Sequence, residues 1–102
     1  MLDPNVVVRA DAAALALSKE RAAQGAPQLL GPETRGREYI ANMFRGRATT
    51  ARPASVDGNP GLVVPIGGRL IAVFEFTIED GAITEIALTS DTKAIDAMAL
   101  EY

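Results

Sequence analysis

No cysteine, histidine or tryptophan occurs among the 102 residues. The lack of cysteine excludes disulfides, thiolate metal sites and thiol nucleophiles. The lack of histidine removes the commonest general base, the Ser-His triad and the usual zinc ligands. Any polar chemistry then falls to Asp, Glu, Tyr and Arg. Carboxylate-only Mg²⁺ or Ca²⁺ sites stay open as chemistry, but no EF-hand spacing occurs, and neither a metal nor a cofactor is expected. Aromatic residues are scarce at 5%. No apolar run approaches the roughly 20 residues that a membrane helix needs, so no membrane contact is expected. Met1-Leu2-Asp3-Pro4 has neither the basic start nor the apolar stretch of a secretory signal, which makes the cytoplasm the expected compartment.

What is present is ordinary for a folded domain. Hydrophobic residues make up 48% and charged residues 23%, and the length suits one domain spanning 1–102. Ten basic and 13 acidic side chains give a net charge of −3, which argues against DNA contact driven by bulk electrostatics. The charge is uneven. Residues 35–55 hold 5 basic and 1 acidic side chains, while residues 56–102 hold 2 basic and 8 acidic ones. No aromatics interleave with Arg45, Arg47 and Arg52, so the basic stretch reads as a solvated helix face and strand edge rather than a nucleic-acid patch.

The β-branched run Val6-Val7-Val8 predicts a strand over about 4–10. Residues 11–24 are Ala-rich and favour a helix, although a strand and irregular loop also fit. Gln28-Leu29-Leu30 is a candidate short strand before Gly31-Pro32. From Arg35 to about Arg47, Tyr39, Ile40, Met43 and Phe44 form one apolar helical stripe, with Gly36 at its start and Arg37, Glu38, Asn42 and Arg45 on the other side. An antiparallel meander follows, with strands over 51–57, 61–66, 69–78 and 82–89. Asp57-Gly58-Asn59-Pro60, Gly67-Gly68 and Glu79-Asp80-Gly81 are its turns. Leu70, Ala72, Phe74, Phe76 and Ile78 should share the face that covers the helix. Residues 92–99 read as a terminal helix with Ile95, Met98 and Ala99 turned inward. The expected fold class is α+β, a curved antiparallel sheet wrapped on a helix.

The order of a strand, the G-R-E-Y-I helix and hairpin-linked strands resembles the SnoaL-like branch of the nuclear transport factor 2-like (cystatin-like cone) superfamily. Closer still, Leu2-Asp3-Pro4-Asn5-Val6-Val7-Val8-Arg9-Ala10-Asp11 resembles the opening of the C-terminal domain of certain extracytoplasmic-function RNA polymerase sigma factors. So do Arg35-Gly36-Arg37-Glu38, Ala51-Arg52-Pro53-Ala54 and Val56-Asp57-Gly58-Asn59-Pro60-Gly61. Phe74-Glu75-Phe76 through Gly81, Ile83, Glu85 and Ile86, then Asp91, continue the pattern. The segments are short, but they keep their order across nearly the whole chain. Family cones begin with N-terminal helices, and only four residues precede the first expected strand. Either Met1 begins an excised domain or the 11–24 segment replaces part of that cover.

The resemblance implies a pocket inside a cone, where relatives that are isomerases or cyclases use a carboxylate base with Tyr or acid donors. The matching candidates for ligand binding are Arg9, Tyr39, Asp57 and Glu75, with Asp11 a further carboxylate. Each also has a plain structural role: Asp57 in a turn, Tyr39 in the core, Glu75 toward solvent, Arg9 on an edge strand. No catalytic set is assembled. The function implied is a non-catalytic regulatory or ligand-sensing domain of a sigma factor, acting on transcription initiation by protein contact. The alternatives are a small-molecule-binding dimerisation module and a ketosteroid-isomerase-like enzyme. The partners expected are a second copy or the sigma-factor body of a longer parent chain, with a small-molecule ligand held in the cone.

Overall fold

A computed structural model describes residues 2–22, 29, 31–44 and 51–101, with the backbone alone for 21, 22 and 44. The elements run β1 (Leu2–Ala10), α1 (Ala12–Ala22), β2 (Glu33–Arg35), α2 (Arg37–Phe44), β3 (Arg52–Val56), β4 (Asn59–Ile66), β5 (Arg69–Glu79), β6 (Ala82–Thr89), α3 (Thr92–Asp96) and β7 (Leu100–Glu101). Of the expected strand 28–30 only Leu29 is described, and it is buried but belongs to no strand; the end of the 35–47 helix, with Arg45, Gly46 and Arg47, lies outside the described residues.

The seven strands form one sheet in the order β2-β1-β6-β5-β4-β3-β7. The meander β3 to β6 is antiparallel throughout, and its three two-residue loops explain why. Asp57-Gly58, Gly67-Gly68 and Asp80-Gly81 all have positive φ, including 49° at Asp57 and 51° at Asp80. Two consecutive positive-φ residues fit the twist of a tight hairpin, and Asp and Gly tolerate that region.

The expected antiparallel sheet wrapped on a helix is not what forms. β1 runs parallel to β6, with Val7 opposite Glu85 and Val8 opposite Ile86, so the sheet is mixed. Among the described residues the helices span 11, 8 and 5 residues, and they are divided between the two faces. α1 and α2 pack on one face, where Ala14, Ile40 and Met43 meet Val6, Val8, Val64, Ala72, Ile86 and Leu88. α3 packs on the other, where Ile95 meets Val56, Val63 and Val73. This is a predominantly β architecture with helices on both faces of a mixed sheet, not a cone closed on one helix. The physical reason lies in β1: Val6, Val7 and Val8 are all buried, and an unbroken buried run belongs to an interior strand with both faces shielded. The parallel partner of that strand lies about 80 residues away in sequence, and local patterning cannot choose it.

One of two register shifts corrects the expected apolar face of β5. Register shifts fall between Val64 and Pro65 on β4 and between Thr77 and Ile78 on β5. A bulge interrupts the period-two alternation. The first shift leaves Ile71 of β5 unpaired, so Leu70 packs with the second cluster while Ala72, Phe74 and Phe76 keep to the first. The second leaves Thr84 of β6 unpaired and does not break the alternation of β5, and Ile78, next to the hairpin tip, is 50% exposed. α3 also ends earlier than the expected 92–99 helix: Ile95 is buried and Met98 packs beside it, but Ala99 is exposed and belongs to the link to β7.

In α2 the stripe holds where it is described. Ile40 is fully buried, Met43 nearly so and Tyr39 half-buried against the core, while Arg37, Glu38 and Asn42 are exposed. Gly36, at φ 110°, starts the helix by accepting the Ile40 N–H at 2.9 Å. Burying an isoleucine such as Ile40 contributes about 1.5–3 kcal/mol.

Candidate functional site

The four candidate ligand-binding residues do not converge. Arg9 and Glu75 share a face of the sheet, because Glu33, Arg9, Ala87, Glu75 and Gly61 are paired in one row across β2, β1, β6, β5 and β4. One intervening strand separates Arg9 from Glu75, about 10 Å of sheet. Tyr39 packs with the first cluster on the opposite face. Asp57 sits in the β3–β4 turn near the far edge.

Arg9, Glu75 and Asp57 are each engaged in holding the fold. Arg9 pairs with Glu33 on β2 and Glu85 on β6, its Nε donating to Glu85 Oε1 at 2.8 Å. Arg35 Nη2 lies 3.7 Å from the same Glu33. The hydrogen bond to Glu85, then the charge of Glu33, raises the Arg9 pKa above its ordinary value. An anionic ligand would have to displace two carboxylates to reach this guanidinium. Glu75 Oε2 accepts from Asn59 Nδ2 at 2.6 Å. Asp57 clasps Ala99 from both sides: its N–H donates to the Ala99 carbonyl and its Oδ1 accepts the Ala99 N–H, both at 2.8 Å.

Asp11, the further carboxylate, is the most heavily used. Oδ1 accepts the Ala14 N–H at 2.7 Å and so caps α1. The carboxylate also accepts the Ser90 N–H, at 3.2 and 3.1 Å to its two oxygens, and the Asp91 N–H at 3.1 Å. Asp91 in turn caps α3 by accepting the Ala94 N–H at 3.1 Å.

A concave space opens elsewhere, between α1 and the start of β5, with a volume of about 340 Å³. Ala13, Ala16 and Leu17 form its helical wall, and Leu70 and Ile71 its strand wall. Glu20 stands at the helix side and Arg69 at the strand side, both exposed. Ser90 lines the groove, and its hydroxyl is buried without a hydrogen-bond partner. None of Arg9, Tyr39, Asp57 and Glu75 lines it. The helical half was legible in principle, since 13, 16, 17 and 20 fall at i, i+3, i+4 and i+7. Its counterpart at 69–71 and Ser90 arises only from tertiary packing.

Among the described residues no group of three or more Asp and Glu side chains is placed to hold a metal, and no helix is long and apolar enough to cross a membrane. Comparisons with protein-family models, with curated proteins and with solved structures find no match.

Proposed function

We propose that this chain is a non-catalytic regulatory module that acts by protein contact within an RNA polymerase sigma factor, in the cytoplasm. The observation that carries the reading is the ordered resemblance of its segments to the C-terminal domain of such factors. Those segments are the fold's fastening points: Asp11 and Asp91 join α1 to α3, Asp57-Gly58 forms the clasped turn, and Gly81 lies in the β5–β6 turn. The resemblance is one of local segments and not of the cone fold, and a contact function needs no catalytic set.

A surface for that contact lies at the tip of the β5–β6 hairpin. Ile78 is 50% exposed, and Glu79 and Asp80 beside it are exposed. An exposed apolar residue flanked by carboxylates suits a basic, partly apolar partner surface, and the surplus of 8 acidic over 2 basic side chains in residues 56–102 extends the same sign. DNA-binding parts of a sigma factor offer such a basic surface.

The test is transcription in vitro by the longest reading frame that contains residues 1–102, intact and with these residues deleted. Altered promoter binding or initiation is the expected result. Unchanged binding and initiation, or a reading frame with no sigma-factor helices, refutes the proposal.

A further inference from the structure

The groove between α1 and β5 takes no part in the contact reading and has its own chemistry. Its helical wall is shaped by small side chains: Ala13 and Ala16 leave open what larger residues would fill. The volume of about 340 Å³ lies at the small end of the range for ligand sites. Leu17 and Ile71 make its body apolar.

Four polar side chains, Ser90, Glu20, Arg69 and Thr92, line that body. The Ser90 hydroxyl is shielded from solvent and has no partner, a state that buried polar groups seldom keep. Rotation about χ1 moves a serine hydroxyl between staggered positions, and Ser90 already lines the groove. Glu20 and Arg69 bring opposite charges to opposite walls, and among the described residues neither forms an ion pair. A ligand with a single charge gains from one wall and is repelled at the other. A zwitterion matches both.

We infer that this groove binds a free α-amino acid with an apolar side chain. The carboxylate faces Arg69, the ammonium faces Glu20, and the side chain lies against Ala13, Ala16 and Ile71. Ser90 contributes a hydrogen bond to the polar end. The inference does not rest on the sigma-factor reading, and either can fail without the other.

The experiment is an amide NMR titration of the whole chain with L-phenylalanine, and separately with 3-phenylpropionate and phenethylamine, which keep one charge each. The expected result is saturable shifts centred on Ala13, Ala16, Ile71 and Ser90, with L-phenylalanine binding about tenfold or more tightly than either analogue. Arg69→Gln should erase the preference for L-phenylalanine over phenethylamine. Ala16→Leu, a good helix former at an exposed position, should abolish the shifts while the rest of the spectrum stays dispersed. Equal binding of all three probes, non-saturating shifts, or shifts that survive Ala16→Leu overturn the inference.

Discussion

Asp11 and Ser90, 79 residues apart in sequence, are joined by hydrogen bonds of 3.2 and 3.1 Å from the Ser90 N–H to the Asp11 carboxylate. The same carboxylate caps α1 and holds the Asp91 N–H, so one side chain ties the end of β1, the start of α1 and the entry to α3. Asp11→Ala leaves three N–H groups without this acceptor and should cost about 1–3 kcal/mol in urea denaturation. Asp11→Asn keeps a side-chain acceptor and should lose less. Equal stability of wild type and the alanine variant would show that the knot contributes nothing.

Asp57 combines a φ of 49° with a side-chain hydrogen bond to the Ala99 N–H. Alanine loses the bond and tolerates that conformation poorly. Asp57→Ala is therefore expected to destabilise by about 1–2 kcal/mol, and Asn, which tolerates positive φ and keeps an acceptor, by less. Faster hydrogen exchange at the Ala99 amide in the alanine variant is the local readout.

Gly61 is required by space. A Cβ placed there meets the Phe74 carbonyl oxygen at 2.2 Å and Val56 Cγ2 at 2.8 Å. The carbonyl is backbone in the neighbouring strand β5 and cannot rotate away. Gly61→Ala should lower stability by about 1–3 kcal/mol or more in thermal or chemical unfolding. A neutral substitution would show that β4 and β5 stand further apart.

The Arg9 cluster makes an opposite prediction. Its partners Glu33 and Glu85 have side chains 44% and 38% exposed, and exposed ion pairs contribute little. Arg9→Gln should shift the melting temperature only slightly, and about 1 M salt should remove the difference by screening. With the Arg9 pKa raised, deprotonation of the guanidinium removes its contribution only in strong alkali. No histidine is present to titrate, so stability should be nearly flat across roughly pH 6–8. A titration step in that window would contradict this.

Local chemistry made most elements legible. The valine run marked β1, the Tyr39, Ile40 and Met43 spacing marked α2, and the Asp-Gly and Gly-Gly pairs marked the hairpins. The arrangement was not legible, because the parallel pairing of β1 with β6 is non-local and competes with antiparallel arrangements built from the same strands. A bulge at Ile71 hid the fate of Leu70, since alternation cannot register an added residue. The candidate residues are engaged within the fold for a related reason. Arg9 and Glu75 have the residue types a pocket needs, but their cross-strand neighbours Glu33, Glu85 and Asn59 satisfy them. Residue type indicates what a side chain is able to do, and the partner strand decides whether it is free to do it.

Contact through the β5–β6 tip is the central claim, and the most direct measurement is initiation by the full reading frame carrying Ile78→Lys and Glu79→Lys. Both positions are exposed, so the fold should survive, as circular dichroism and the melting temperature will verify. Removing the apolar anchor and reversing the charge should change promoter binding or initiation in the same direction as deleting the whole domain. Initiation unchanged by the double variant, in a protein where deletion does alter it, would place the contact elsewhere on the molecule and contradict the account.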